Sequence, residues 1–434
     1  MNAAATTPAP RIHYGWVILA VSVPIVFGAL GLARFGYSVI LPSMQASLEL
    51  SNAQAGGLAT ANLVGYLAFS IIGGALAARF GPRRIVATGL VLAGLGMALT
   101  GLAQAFLAAA LWRALTGVGS GLSNVPVMGL LSAWFAARRR GLATGLAVTG
   151  VSFGLIAVGW LVPAILAAFG DDGWRLSWFL FGGVTLAIAA LGYALLRDRP
   201  ADKGLRPLGA DATASALDPA PRPGSSAARP DGLQWGLVYR SPLAWHLGLV
   251  YSAFGFAYII YITFFAKFLI AENGYTQPAA GSLFTTMGWF TLSSGLIWGM
   301  VSDAIGRKGA MLIVYLIQAV AIGMFGLKLA PLGLTLSAIL FGLTAWSLPA
   351  IMAATCGDAF GSRLAPAALG FVTLFFGLGQ AIGPSVVGAM ADSTGTFTSG
   401  FMLAGFVSML GAAGALFLRP TAARPEIVAQ GGSG

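Results

Sequence analysis

Cysteine and histidine are nearly missing from this chain, which holds one Cys, Cys356, and two His, His13 and His246. A single thiol excludes an internal disulfide, and two imidazoles leave no set of metal ligands, so neither a metal nor another cofactor is expected. Charge is scarce as well. Only 9% of the 434 residues are charged and Asp plus Glu number 13, where a soluble globular domain carries about 25% charged residues. What fills the space is apolar: hydrophobic residues make up 57% and Gly numbers 61.

A helix needs about 20 consecutive apolar residues to cross the hydrocarbon of a bilayer. Twelve runs qualify, near 15 to 41, 52 to 78, 84 to 105, 107 to 134, 141 to 168, 174 to 196, 242 to 269, 278 to 303, 309 to 328, 332 to 357, 366 to 391 and 398 to 418. The expected fold is an all-α polytopic membrane protein, and the first run is read as an uncleaved first span. Between runs six and seven the chain turns polar and proline-rich, including Pro219-Ala-Pro-Arg-Pro-Gly-Ser-Ser226. Residues 197 to 241 are therefore expected to be a flexible linker, with a short amphipathic helix around Leu233 to Val238, between six-helix halves at 1–196 and 242–434. The carboxyl-terminal Gln430-Gly-Gly-Ser-Gly434 reads as a disordered tail.

The net charge of +11 is of the sign that nucleic acid attracts, but the basic residues fall in alternate connections, as the positive-inside rule requires. One side holds Arg11, Arg79, Arg83, Arg84, Arg138 to Arg140, seven residues of the linker, Arg307, Lys308, Arg363, Arg419 and Arg424. The other has only Arg175, Lys267 and Lys328, at helix ends. No nucleic-acid partner is expected; both termini and the linker are assigned to the cytoplasm and the surroundings to a lipid bilayer.

The chain also repeats itself at an offset of 225 residues. Gly74, Gly81 and Arg83 recur as Gly299, Gly306 and Lys308, and Gly117, Gly145 and Gly154 recur as Gly342, Gly370 and Gly379. Two equivalent membrane halves are the architecture of many secondary transporters.

The connections carry more specific patterns. Gly74-Ala-Leu-Ala-Ala-Arg-Phe-Gly-Pro-Arg-Arg84 and Gly299-Met-Val-Ser-Asp-Ala-Ile-Gly-Arg-Lys308 resemble the cytoplasmic loop signature of the major facilitator superfamily, as do Arg113-Ala-Leu-Thr-Gly-Val-Gly-Ser-Gly121 and Trp134-Phe-Ala-Ala-Arg-Arg-Arg-Gly-Leu-Ala143. The resemblance covers nearly the whole chain and implies two pseudo-symmetric six-helix bundles that rock about a central site. It also implies a state-dependent latch built from Gly74, Arg79, Gly81 and Arg83 in one half and Gly299, Asp303, Gly306 and Arg307 in the other. Ala78 stands where the family carries an acid, which weakens the first copy.

Two narrower resemblances compete. His13-Tyr-Gly-Trp-Val-Ile18, with Arg34 some five turns on, is similar to monocarboxylate transporter relatives, although Gly281 to Trp298 lacks the Asp and Arg pair of that family's eighth helix. Ala33-Arg-Phe-Gly-Tyr37 and the residues after it, Gly65-Tyr66 and Phe371 to Pro384 resemble a bacterial branch of poorly characterised facilitators.

Arg34 is the leading candidate for substrate binding, because a guanidinium within a span costs about 2.5 to 3.5 kcal/mol and something must offset it. Facing a hydrated cavity it would hold an anion through two parallel hydrogen bonds; the alternative is snorkelling or bonding to backbone carbonyls. Arg113 is expected to bond helix carbonyls or to take part in proton-linked gating. Asn124, three helical turns beyond it, suits a carboxylate, a hydroxyl or an interhelical bond. Tyr37, Asn62, Tyr66, Tyr258, Tyr261, Trp289, Trp346 and Gln380 complete the candidate binding set, each with packing as the competing role.

All 13 carboxylates fall in loops or at helix ends, among them Asp303 and Asp358. A mid-membrane proton carrier is missing, so a co-transported proton would ride with the substrate or exchange near Arg34, Arg113 or an edge carboxylate. The reading is a monomeric secondary transporter, not an enzyme, for a small organic anion in a bacterial inner membrane. Its rivals are a drug exporter of the same fold and a non-transporting sensor.

Overall fold

The computed structural model describes residues 13–210 and 235–418. The expectations for Arg11, Pro219 to Ser226, Arg419, Arg424 and Gln430 to Gly434 lie outside the described residues. Among the described residues twelve long helices run in chain order: α1 (Tyr14–Ser47), α2 (Asn52–Phe80), α3 (Pro82–Gly101), α4 (Phe106–Trp134), α5 (Ala137–Phe169), α6 (Gly173–Leu195), α7 (Pro242–Asn273), α8 (Gln277–Ile305), α9 (Arg307–Gly326), α10 (Pro331–Gly361), α11 (Ala367–Thr394) and α12 (Thr398–Leu416). Eleven are long and apolar enough to cross a membrane. The twelfth, α8, has the length, at 29 residues, but Gln277, Ser282, Thr285, Thr286, Thr291, Ser293 and Ser294 dilute its hydropathy.

The repeat governs the backbone. Helices α8 and α9 begin and end 225 residues after α2 and α3. Gly81 and Gly306 end α2 and α8 with φ of 90° and 86°, a region closed to most side chains. The N-caps correspond too: Ser51 accepts from Gln54 N, and Thr276 accepts from Ala279 N. At the start of α2 every free amide finds a partner. Asn52 N and Ala53 N each donate to the Asp392 carboxylate of α11 at 2.8 Å, and Gln54 N donates to Ser51 Oγ.

Helix α1 is not uniform. Residues Phe27–Phe35 form a wide, π-helical segment, and within it Gly31 lies against Gly154 of α5, where an added Cβ would come within 2.8 Å of the Gly154 Cα.

The halves meet along two seams, α2 with α11 and α5 with α8. A Cβ on Gly56 would lie 2.1 Å from Pro384 O, and one on Gly281 would lie 2.3 Å from Gly159 O. These contacts are related by the 225-residue offset. The glycine-rich stretches of α5 and α11 thus serve close helix contact. Eighteen residues on, about five turns along the same faces, Gly74 has only Val125 Cγ1 at 4.0 Å and Gly299 meets nothing within 4 Å. Gly145 and Gly370, about four turns back along α5 and α11, also meet nothing within 4 Å. The halves therefore touch at one end and part at the other, and the parted end carries the basic connections. The closed end is also held by Ser38 Oγ donating to Ile262 O and by Gln277 Nε2 donating to Val39 O at 2.9 Å.

The start of the connector is packed. Trp134 Nε1 donates to Arg197 O, and Leu208 pairs with the α4–α5 junction through Leu208 N to Trp134 O and Ala136 N to Leu208 O. A short helix, Trp235–Tyr239, precedes α7.

Candidate functional site

The central site is built on Arg34, which the last turn of the wide segment of α1 places between the halves. Its Nη1 donates to Gln380 Oε1 of α11 at 3.2 Å, and its guanidinium lies 4.3 Å from the centre of the Tyr66 ring on α2. Tyr258 of α7 adjoins the guanidinium, its hydroxyl within reach of a weak hydrogen bond from it. The Tyr66 hydroxyl accepts from Asn124 Nδ2 of α4 at 3.1 Å. Trp346 of α10 completes the wall, its ring 5.9 Å from Phe35 and 6.2 Å from Tyr258. Six helices from both halves thus supply Arg34, Tyr66, Asn124, Tyr258, Trp346 and Gln380.

The hydrogen-bond accounting is incomplete here. Arg34 Nε, Arg34 Nη2, Asn124 Oδ1 and Trp346 Nε1 are all buried without a partner, although natural interiors pair about 90% or more of such groups. Among the described residues no carboxylate forms an ion pair with Arg34. Nε and Nη2 form one edge of the guanidinium, the edge that meets a carboxylate through two parallel bonds. The site therefore presents an uncompensated positive charge, two aligned donors, an indole donor and an amide acceptor.

The candidates Arg113, Tyr37 and Asn62 are placed differently. Arg113 is buried, donates from Nη1 to Ala33 O at 2.7 Å, and lies between the rings of Tyr37 and Trp178, each 4.9 Å away. Tyr37 donates to Ala55 O at 2.7 Å and Asn62 donates to Arg113 O at 3.1 Å. These groups fasten α1, α2 and α4 together, and Arg113 bonds the carbonyl of the residue before Arg34. They border a cavity of about 10 Å³ beside Arg34, room for about one water.

Two candidates lie away from the site. Tyr261 bonds Ser337 Oγ at 2.7 Å and stacks on Phe341 at 4.1 Å, within the carboxyl-terminal bundle. Trp289 is 58% exposed, on the same face of α8 as the exposed Leu296 and Met300, and not packed with the residues around Arg34. The sequence reading missed Phe376, whose ring stacks on Tyr258 at 5.7 Å. Its spacing of four from Gln380 puts both on one face of α11.

The loop signatures differ between copies. In the second, Arg307 pairs with Asp303 and donates to Asp358 Oδ2 at 2.9 Å, from the far end of α10. The first lacks its acid at Ala78, and Arg79 packs over Phe80 at 5.2 Å. There Asp198, beyond α6, takes the helix end instead, accepting from Arg83 N at 2.7 Å beside Gly81, while Arg83 Nε donates to Tyr193 O.

Comparison with known proteins agrees with this architecture. A family model described as "Uncharacterised MFS-type transporter YbfB" matches residues 26–416. The hexuronate transporter of Bacillus subtilis (strain 168) is 25% identical over 407 residues, covering 91% of this chain and 92% of that protein. Monocarboxylate transporter 13 of Bos taurus is 27% identical over 420 residues, covering 95% and 90% respectively. In fold the chain is similar to a bacterial homologue of the human lysosomal transporter Spinster, solved inward-facing and unoccupied, with a TM-score of 0.73 at 15% identity over 95% of this chain and 97% of that one. The chain thus belongs to the major facilitator transporters, in the family of the YbfB-type members.

Proposed function

We propose that this protein carries a small organic anion, with a carboxylate as the recognised group, across a bacterial inner membrane by alternating access. The observation that carries the reading is the buried, unpaired Nε and Nη2 edge of Arg34. A charge within a span is expensive, and here an anionic substrate offsets it. The carboxylate substrates in the names of the hexuronate and monocarboxylate transporters support the same class. With the basic face and both termini in the cytoplasm, the described conformation opens inward. We take 1–196 and 242–434 as the moving halves of a monomer and 197–241 as their connector.

Because the site draws on both halves, a bound anion joins Arg34 and Tyr66 on one side to Gln380 and Trp346 on the other. That differential contact is what moves the equilibrium between conformations. Any proton moved with the anion travels on it, since no acid adjoins Arg34 among the described residues. The test is a thermal-shift screen of organic acids, amino acids and cationic drugs on purified protein and on Arg34→Ala. An anion is expected to raise the melting temperature of the natural protein and to leave the variant unmoved. Equal stabilisation of both, or stabilisation by cations alone, contradicts the reading.

A further inference from the structure

We propose that Tyr66 and Asn124 form a hydroxyl-recognising subsite, so that the preferred substrates are hydroxylated carboxylates. This rests on the reading of Arg34 as the anion site. Asn124 spends its Nδ2 on the Tyr66 hydroxyl at 3.1 Å and keeps Oδ1 buried without a donor. The Tyr66 hydroxyl, having accepted that bond, retains its own proton, for which no described residue is an acceptor. Together the two side chains offer one acceptor and one donor side by side. A hydroxyl is the small group that answers both at once. An ammonium supplies donors only and meets the Tyr66 proton with no acceptor, and an alkyl group leaves both unanswered.

The placement matches the charge. The ring of Tyr66 lies under the Arg34 guanidinium at 4.3 Å while its hydroxyl end holds Asn124. The Tyr66 side chain thus joins the charged group to the Asn124 amide. A buried site shaped for a hydroxyl discriminates strongly against the analogue lacking it, because its polar groups are then left unpaired.

The experiment measures binding to the full-length protein in lipid nanodiscs. It uses matched acids of three and six carbons that are unsubstituted, hydroxylated or aminated, such as propanoate, 2-hydroxypropanoate and 2-aminopropanoate. The hydroxylated acid is expected to bind at least about tenfold more tightly than the unsubstituted one. Asn124→Leu brings that ratio to within about twofold, and Tyr66→Phe, which keeps the ring under Arg34, lowers the ratio partway. Carboxylates that bind without regard to the hydroxyl, a ratio that survives Asn124→Leu, or a preference for the aminated acid would each overturn the subsite and leave the anion site standing. If no carboxylate binds, the anion reading fails and takes the subsite with it.

Discussion

Two arginines in one bundle differ in their surroundings. Arg113 is fully buried, donates to Ala33 O and lies between two aromatic faces, with its Nε unpaired, whereas Arg34 is partly buried, bonds Gln380 and leaves both Nε and Nη2 unpaired. A charged hydrogen bond contributes about 1.5 to 3 kcal/mol and a desolvated cation–π contact about 2, so Arg113→Met should lower stability by several kcal/mol. Arg34→Met removes a partly buried charge that has no ion-pair partner among the described residues and should leave the melting temperature of the unliganded protein unchanged or higher. Melting curves of both variants without ligand check this. A stable Arg113→Met variant that has lost anion binding would make Arg113 a ligand contact and not a brace. The position of Arg34 within a span was legible in sequence, and an intramembrane guanidinium demands a partner wherever it sits. That Trp289 and Tyr261 lie apart from the residues around Arg34 was not, because position along a span says nothing about azimuth. Tyr261 is three residues from Tyr258, about 60° around the helix, enough to turn one into the seam and the other into its own bundle.

At the scale of helices, the start of α2 is the closed end's strongest cross-seam contact: Asp392 takes the two amides that Ser51 leaves free. An anion at a helix N-terminus is favoured by the helix dipole as well. The equivalent position on α5 is Ala167, so only one of the two seams has this clamp. Asp392→Asn should raise the population open at that end by about threefold to tenfold, because a neutral amide cannot accept two such bonds with the same strength. Spin labels at Ala46→Cys and Ser393→Cys, in a Cys356→Ser background, read the change as growth of the longer distance; an unaltered distribution in a folded variant refutes it. Nothing local in the sequence announced this clamp, whose partners lie 340 residues apart. The approach of Gly31 in the wide segment of α1 to Gly154 was equally hidden, since it involves another helix. The ends of α2 and α8, by contrast, lie within two residues of the runs expected for them, because Gly81 and Gly306 act within their own turn.

Across the whole molecule the backbone is duplicated and the chemistry is not. The positions 225 residues beyond Arg34 and Arg113 are Ile259 and Ala338, so the charge belongs to the first half, while the second contributes Tyr258, Trp346, Phe376 and Gln380. The offset glycines made the twofold architecture visible in sequence. Which side chains converge between the halves was not visible, because that depends on how two separate bundles face each other. A substrate held across such a seam stabilises the conformation in which both sides reach it, and this joins binding to movement. The most direct test is counterflow in proteoliposomes, in which an unlabelled carboxylate inside drives uptake of the same labelled acid from outside. The natural protein should accumulate label transiently and Arg34→Ala should not; binding without exchange in the natural protein, or equal exchange in the variant, would contradict the account.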